Sequence, residues 1–239
     1  PEEGLRVLDA PIVSLVPTEG VELGRSLFGL GNFDDVDADS KDMDTPGWTW
    51  DSTDIRLSTS GSLLLTRQGG NTDRVSARSI ARVPLLPHRL YQDAEGVQPL
   101  DGDARFAVRL RYRETGEQER GSVRLALYYF DDLNPTEDPE STLLREVELP
   151  LPKAAAWQEV ELPLTDEMVA PVDGQTPNAA LLYVSLSPPN TWKTTLEIDW
   201  LDVVEWRDLS AEPVGWSAVQ WLRSTDGEAH RVELREQSW

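Results

Sequence analysis

Three groups of residues in this 239-residue sequence have the types and spacing to do chemistry. The first is acidic: Asp34, Asp35, Asp37, Asp39, Asp42 and Asp44 crowd into one short stretch. A hard cation such as Ca²⁺ takes about six to eight oxygen ligands, and alternating aspartates supply several from one loop. Asp35-x-Asp37-x-Asp39 opens like an EF-hand loop, but Ser40 stands where that loop turns on glycine and Pro46 where its bidentate glutamate belongs, which excludes an EF-hand. The second group is basic. Arg109, Arg111 and Arg113 recur at every second residue, and Arg124 and Tyr128 follow in the next apolar run. Guanidinium forks grip carboxylate or sulfate bidentately, and a tyrosine ring stacks on the apolar face of a sugar. The third group is aromatic. Nine tryptophans exceed what a core of this size needs, and Trp50, Trp192, Tyr183 and Tyr91 fall in or beside turn-rich segments, where platforms for sugar rings sit.

Other chemistries lack material. Without cysteine there is no disulfide, thiol nucleophile or thiolate metal site. His88 and His230, the two histidines, are far apart in sequence, which leaves little for a triad or a multi-histidine centre. Neither GxxxxGK[ST] nor GxSxG occurs. Glycoside cleavage needs two carboxyl groups at a set separation, one with a raised pKa, and 43 acidic residues distinguish no pair. Binding is therefore expected rather than catalysis, with a sandwich-fold glycan-cleaving enzyme as the weakest reading.

Charge narrows the partners. With 43 acidic against 22 basic residues, the net charge is −21. That argues against nucleic acid, which needs basic charge to replace counterions, and against anionic lipid. No apolar run approaches the ~20 residues of a membrane-spanning helix. The 39% hydrophobic and 27% charged content is globular.

The elements that must position these residues are short strands broken by 17 prolines and 16 glycines. In Phe106–Arg113, Phe106, Val108, Leu110 and Tyr112 share one face, opposite Arg109, Arg111 and Arg113. In Ser122–Phe130, Val123, Leu125, Leu127 and Tyr129 oppose Arg124, Ala126, Tyr128 and Phe130. Joined by a turn at Gly116, the two runs read as an antiparallel hairpin with all the arginines on one side of one sheet. Two readings stand for that side: a concave surface for an acidic glycan, or salt bridges to Glu146, Glu148, Glu159 and Glu161 on neighbouring strands. Further strands are predicted at 62–66, 75–83, 144–149, 158–164, 180–187 and 194–205, with one helical turn near Thr165–Val169. Such a series without intervening helices predicts an all-β, two-sheet antiparallel sandwich.

Several landmarks come in an order that resembles the jelly-roll carbohydrate-binding modules of bacterial polysaccharide-degrading enzymes. They are Gly31-Asn32-Phe33-Asp34, Pro46-Gly47-Trp48, Ser60-Gly61-Ser62-Leu63-Leu64-Leu65, Trp157-Gln158-Glu159-Val160 and Leu196-Glu197-Ile198-Asp199-Trp200-Leu201-Asp202-Val203. The resemblance covers residues 30–206. Pro87–Leu100 departs from it as an insertion, and Trp200 replaces an acidic residue of the closing strand. It implies a jelly-roll domain over residues 31–206; outside it, residues 1–30 read as an extension with an edge strand at Pro11–Val16. A hairpin over 207–239, turned by Asp226-Gly227, packs on the sandwich or begins a further unit. Trp48 and Trp157 match core positions of the family, while Trp216, Trp221 and Trp239 cover an edge or face a neighbouring domain.

The resemblance also implies a structural Ca²⁺ held by Asp34, Asp199 and backbone near Gly31, the other reading being a solvated acidic loop. Its functional implication is a non-catalytic accessory domain that binds a polysaccharide or glycan, acidic ones included. The ligand-binding residues, nominated by their own types and placement, are Arg109, Arg111, Arg113, Arg124, Tyr128, Tyr183, Trp192 and Trp50. Such a protein is extracellular, at the cell surface or periplasmic, and a chain starting at Pro1 reads as processed or trimmed. The competing expectation is a structural or adhesive module that uses the same sandwich to contact other proteins.

Overall fold

The computed structural model describes residues 5–7, 13–15, 22–28, 33, 48–50, 54–58, 61–67, 74–79, 82–85, 105–116, 121–130, 141–187, 194–208, 221–223, 227 and 229–231. Its strands are β1 (Leu5–Val7), β2 (Val13–Leu15), β3 (Glu22–Ser26), β4 (Trp48–Thr49), β5 (Ile55–Leu57), β6 (Leu63–Arg67), β7 (Val75–Ser79), β8 (Val83–Pro84), β9 (Arg105–Thr115) and β10 (Gly121–Phe130). They continue with β11 (Ser141–Pro150), β12 (Gln158–Pro163), β13 (Ala179–Leu186), β14 (Thr194–Asp208), β15 (Trp221–Arg223) and β16 (Ala229–Arg231). A single helical turn, α1 (Asp166–Val169), follows β12. No helix among the described residues is long and apolar enough to cross a membrane.

The chain divides into two compact units, one of residues 28–86 and 108–202 and one of residues 1–27, 87–107 and 203–239. The first is a jelly-roll β-sandwich. One sheet runs β11-β10-β13-β7-β4, with β8 also paired to β13, and the other runs β12-β9-β14-β6-β5. From β7 onward the chain keeps changing sheets, through β9, then β10 and β11, then β12, β13 and β14. The period-2 pattern of each strand sends one set of side chains into the space between the sheets. Val108, Leu110 and Tyr112 of β9 are fully buried there, as are Val123, Leu125 and Leu127 of β10 and Leu182, Val184 and Leu186 of β13. Leu63 and Leu65 of β6 and Leu196 and Ile198 of β14 complete this layer. Trp48 is fully buried, with Phe28 edge-on at 5.6 Å and Phe33 tilted at 5.9 Å.

One prediction is corrected. β9 and β10 are consecutive but belong to opposite sheets, so they form no hairpin. Val108 and Val123 point into the same core from its two sides, and the arginines of β9 and Arg124 of β10 lie on opposite outer faces. Gly121 opens β10 where space is tight: a Cβ there would meet Glu114 Oε2 at 3.0 Å and Leu151 Cδ1 at 3.1 Å. Its N–H donates to Glu114 Oε2 at 3.2 Å, which satisfies a buried carboxylate next to the core.

β11 carries a second departure from simple alternation. Leu127 pairs with Arg145 and Tyr128 with Leu143, leaving Leu144 as the extra residue of a β-bulge. The bulge puts Leu143 beside Tyr128 on the outer face, where it is 49% exposed. Arg145 instead donates to the Glu167 and Met168 carbonyls, at the end of α1.

The second unit holds β1 paired with β2, and β3 paired with both the Val204–Asp208 end of β14 and β15. β15 and β16 form the hairpin expected around Asp226-Gly227, with Gly227 at φ +88°, in the left-handed region. Glu22 receives both Arg223 (2.9 Å) and Arg105, and the Arg223 guanidinium lies 4.1 Å over the buried Trp206 ring.

Candidate functional site

The sandwich presents two outer faces, and each takes its chemistry from the residues that alternate with the core set. On the β12-β9-β14 face, Arg109, Arg111 and Arg113 stand between acidic residues of both flanking strands. Arg109, 6% exposed, faces Glu161 at 3.6 Å and Glu159 at 3.9 Å. Arg111 Nη1 donates to Asp199 Oδ2 at 2.7 Å. Arg113 donates to Glu197 Oε2 through Nε at 2.6 Å and Nη2 at 2.5 Å. The opposite oxygen of Glu197 accepts from Ser62 Oγ at 2.6 Å. Trp157 lies under this row, 4.7 Å from the Arg113 guanidinium and 5.4 Å from that of Arg111. It is half-buried on the outside, a correction to the core position expected from the Trp-x-x-Val landmark. Each of these guanidinium groups has a carboxylate partner inside the fold.

The β11-β10-β13-β7 face is built differently. Cross-strand register sets Arg124 of β10 beside Tyr183 of β13, and Tyr183 beside Arg78 of β7. The Arg124 guanidinium covers the Tyr183 ring at 4.0 Å and donates to Glu146 Oε1 at 2.5 Å. One row away, Ser122, Ser185 and Ser76 line up across the same three strands, with the Ser76 and Ser185 hydroxyls 2.7 Å apart. Ser122 Oγ donates to Glu148 Oε1 at 2.8 Å, and Arg74 reaches the same oxygen at 3.0 Å. Two residues along β10 from Arg124 the surface becomes apolar. Ala126 is buried, and beyond it Tyr128 tilts against Phe130 with ring centroids 6.0 Å apart. Arg82 caps the Phe130 ring at 4.3 Å. Burial, above all, raises the Tyr128 pKa from the ordinary 10.0, with Tyr183 and Glu146 pushing the same way and Arg78 and Arg124 opposing. The phenol is therefore a neutral hydrogen-bonding group at physiological pH.

Of the residues picked out by sequence, the structure brings Arg124, Tyr128 and Tyr183 together on this face. Arg109, Arg111 and Arg113 stand on the opposite one, which overturns the expectation of a single arginine surface. Trp50 follows β4 and is half-buried. Trp192, Tyr91, Trp216 and Trp239 lie outside the described residues, as does the side chain of Trp221. Arg78 and Leu143 were missed. Arg78 is the outward residue of the Val75/Ala77 alternation, a signal present in the sequence, whereas Leu143 depends on the bulge.

For the calcium site, Gly31, Asp34 and the other loop aspartates lie outside the described residues. Asp199, the remaining ligand, already accepts from Arg111 through Oδ2. Among the described residues no group of three or more His, Asp or Glu is placed to hold a metal.

No protein-family model and no curated protein matches the sequence. Solved structures similar to this chain share low identity with it. A family 4 carbohydrate-binding module is 12% identical with a TM-score of 0.36, over 66% of this chain and 94% of that one. The winged bean acidic lectin complexed with methyl-α-D-galactose is 12% identical at 0.37, over 78% and 99%. An arabinose-bound α-L-arabinofuranosidase is 14% identical at 0.40, over 77% of this chain but 27% of the enzyme.

Proposed function

We propose that this protein is a non-catalytic glycan-binding domain of an exported protein, and that it binds through the outer face of the β11-β10-β13-β7 sheet. The observation that carries this reading is the grouping of Tyr128, Tyr183 and Arg124 with exposed Leu143 on one rigid sheet surface. Sugar rings offer apolar C–H faces and equatorial hydroxyls at once. A surface that alternates phenol, serine and guanidinium groups meets both needs, through ring contact and hydrogen bonds. Strands hold these groups without the entropy cost of ordering loops, which favours binding. The face of β9 is a poor alternative, because its guanidinium groups are already engaged and its carboxylates repel acidic sugars.

Affinity electrophoresis against a panel of soluble plant, algal and bacterial polysaccharides tests the proposal. At least one polysaccharide is expected to retard the protein, with Tyr183→Ala weakening that binding about tenfold, a loss of about 1.4 kcal/mol. Arg113→Ala, on the other face, should bind as the parent does. No retardation by any polysaccharide, or equal binding by Tyr183→Ala, removes the reading.

A further inference from the structure

Among the described residues, the charges on the β11-β10-β13-β7 face do not balance. The two carboxylates described there are both engaged, Glu146 by Arg124 and Glu148 by Arg74 and Ser122. Two exposed arginines on the same face, Arg78 and Arg82, are left without a carboxylate among the described residues. Arg82 rests on Phe130. Arg78 has Tyr183 beside it on β13 and Thr49 on β4, neither of them acidic, and Ser76 lies two residues along its own strand. Glu146 and Glu148 stand three strands away, roughly 14 Å across the sheet at the usual strand spacing. A cationic surplus is unusual in a chain with 43 acidic and 22 basic residues. The charge of Arg78 also opposes the upward shift of the Tyr128 pKa.

Resting on the glycan reading above, we infer that the face takes an anionic glycan, one bearing carboxylate or sulfate groups, with Arg78 gripping the anion beside the Tyr128 and Tyr183 rings. A planar fork meets two oxygens of either group with paired N–H donors, and charge-assisted bonds of this kind outweigh neutral ones. Arg82 places a second positive charge on the same side, suited to a polymer that carries its anions at regular intervals. The surrounding negative potential of the molecule disfavours anions that do not reach this pair.

The experiment measures affinity for three classes of soluble polymer on the intact chain: polygalacturonate or alginate (carboxylated), carrageenan (sulfated), and galactan or arabinoxylan (neutral). One anionic class is expected to bind about tenfold or more tighter than the neutral polymers, and the preferred class identifies the anion. Arg78→Ala is expected to lose about tenfold on the anionic polymer with an unchanged melting temperature, since Arg78 is exposed. Arg78→Lys should recover part of that loss. Neutral polymers bound as tightly as anionic ones, or Arg78→Ala binding the anionic polymer at parental strength, overturns this inference and leaves the glycan-binding proposal standing. Failure of all three classes to bind overturns both.

Discussion

On β9 the arginines face carboxylates on both neighbouring strands, whereas on β7 Arg78 faces a tyrosine and a threonine. The side chains are the same and so is the strand geometry; the neighbours in register differ. On the first face the guanidinium groups neutralise Glu197, Asp199, Glu159 and Glu161, which lets an acidic chain close a sheet without like-charge repulsion. On the second, Arg124 pairs with Glu146 and Arg74 with Glu148, and among the described residues the rest of the surface is phenol, serine, apolar side chains and the unneutralised Arg78 and Arg82. The contrast shows that an arginine-rich strand is no sign of a ligand until the residues across the ladder are known.

Removing Glu197 breaks the closed face most severely. Glu197 is 6% exposed, and its carboxylate serves Arg113 and Ser62 together. Glu197→Ala leaves both partners unmet and a small void, and should cost about 2–3 kcal/mol. Calorimetry is then expected to show a melting temperature lower by roughly 4–10 °C, with glycan affinity unchanged. A melting temperature within a degree of the parent's would mean that the β9 ladder contributes nothing to stability.

Arg111→Met is a milder change. The Arg111–Asp199 pair is partly exposed, so its loss should cost less than about 1 kcal/mol. This variant also decides the calcium expectation. With the guanidinium gone, Asp199 is free to join Asp34 and the Gly31 backbone, and Ca²⁺ should raise the melting temperature more than it does in the parent. Identical melting of both proteins in calcium and in EDTA removes the site.

The smallest effect lies on the open face. A Tyr128 pKa raised above its unfolded value means that the folded state holds this proton more tightly, so the associated stability is present below pH ~10 and is lost as pH rises further. Ultraviolet titration should show a tyrosine ionising above the normal range, and Tyr128→Phe should abolish that step. Persistence of the step in the variant would assign it to another tyrosine.

Much of the fold was legible because alternation is a local property. The run from Phe106 to Arg113 displays its buried and outward residues without reference to the rest of the chain. Which sheet a strand joins is not local. Residues 116–120 are about as well suited to closing a hairpin as to crossing the ~10 Å between packed sheets, and alternation reads the same in both cases. The assignment of five side chains to one face failed on this point. The salt-bridge reading fared better, since Glu146, Glu159 and Glu161 do meet Arg124 and Arg109. Leu143 was hidden for a third reason: a bulge shifts the period by one, and nothing in Thr142-Leu143-Leu144 marks where the shift falls.

Asn178 carries a liability of a different kind. Its buried side chain stands in for backbone, accepting from the Phe130 N–H at 3.0 Å and donating to the Phe130 carbonyl at 2.8 Å, which extends the ladder at the end of β10. Chemical ageing threatens this arrangement, because deamidation turns the donor nitrogen into an oxygen that repels the carbonyl it used to serve. One spontaneous hydrolysis there would loosen the strand end that holds Tyr128 and Phe130. The same two hydrogen bonds restrain the amide from the rotation that such hydrolysis needs, so the bonds that make Asn178 indispensable also prolong its chemical lifetime.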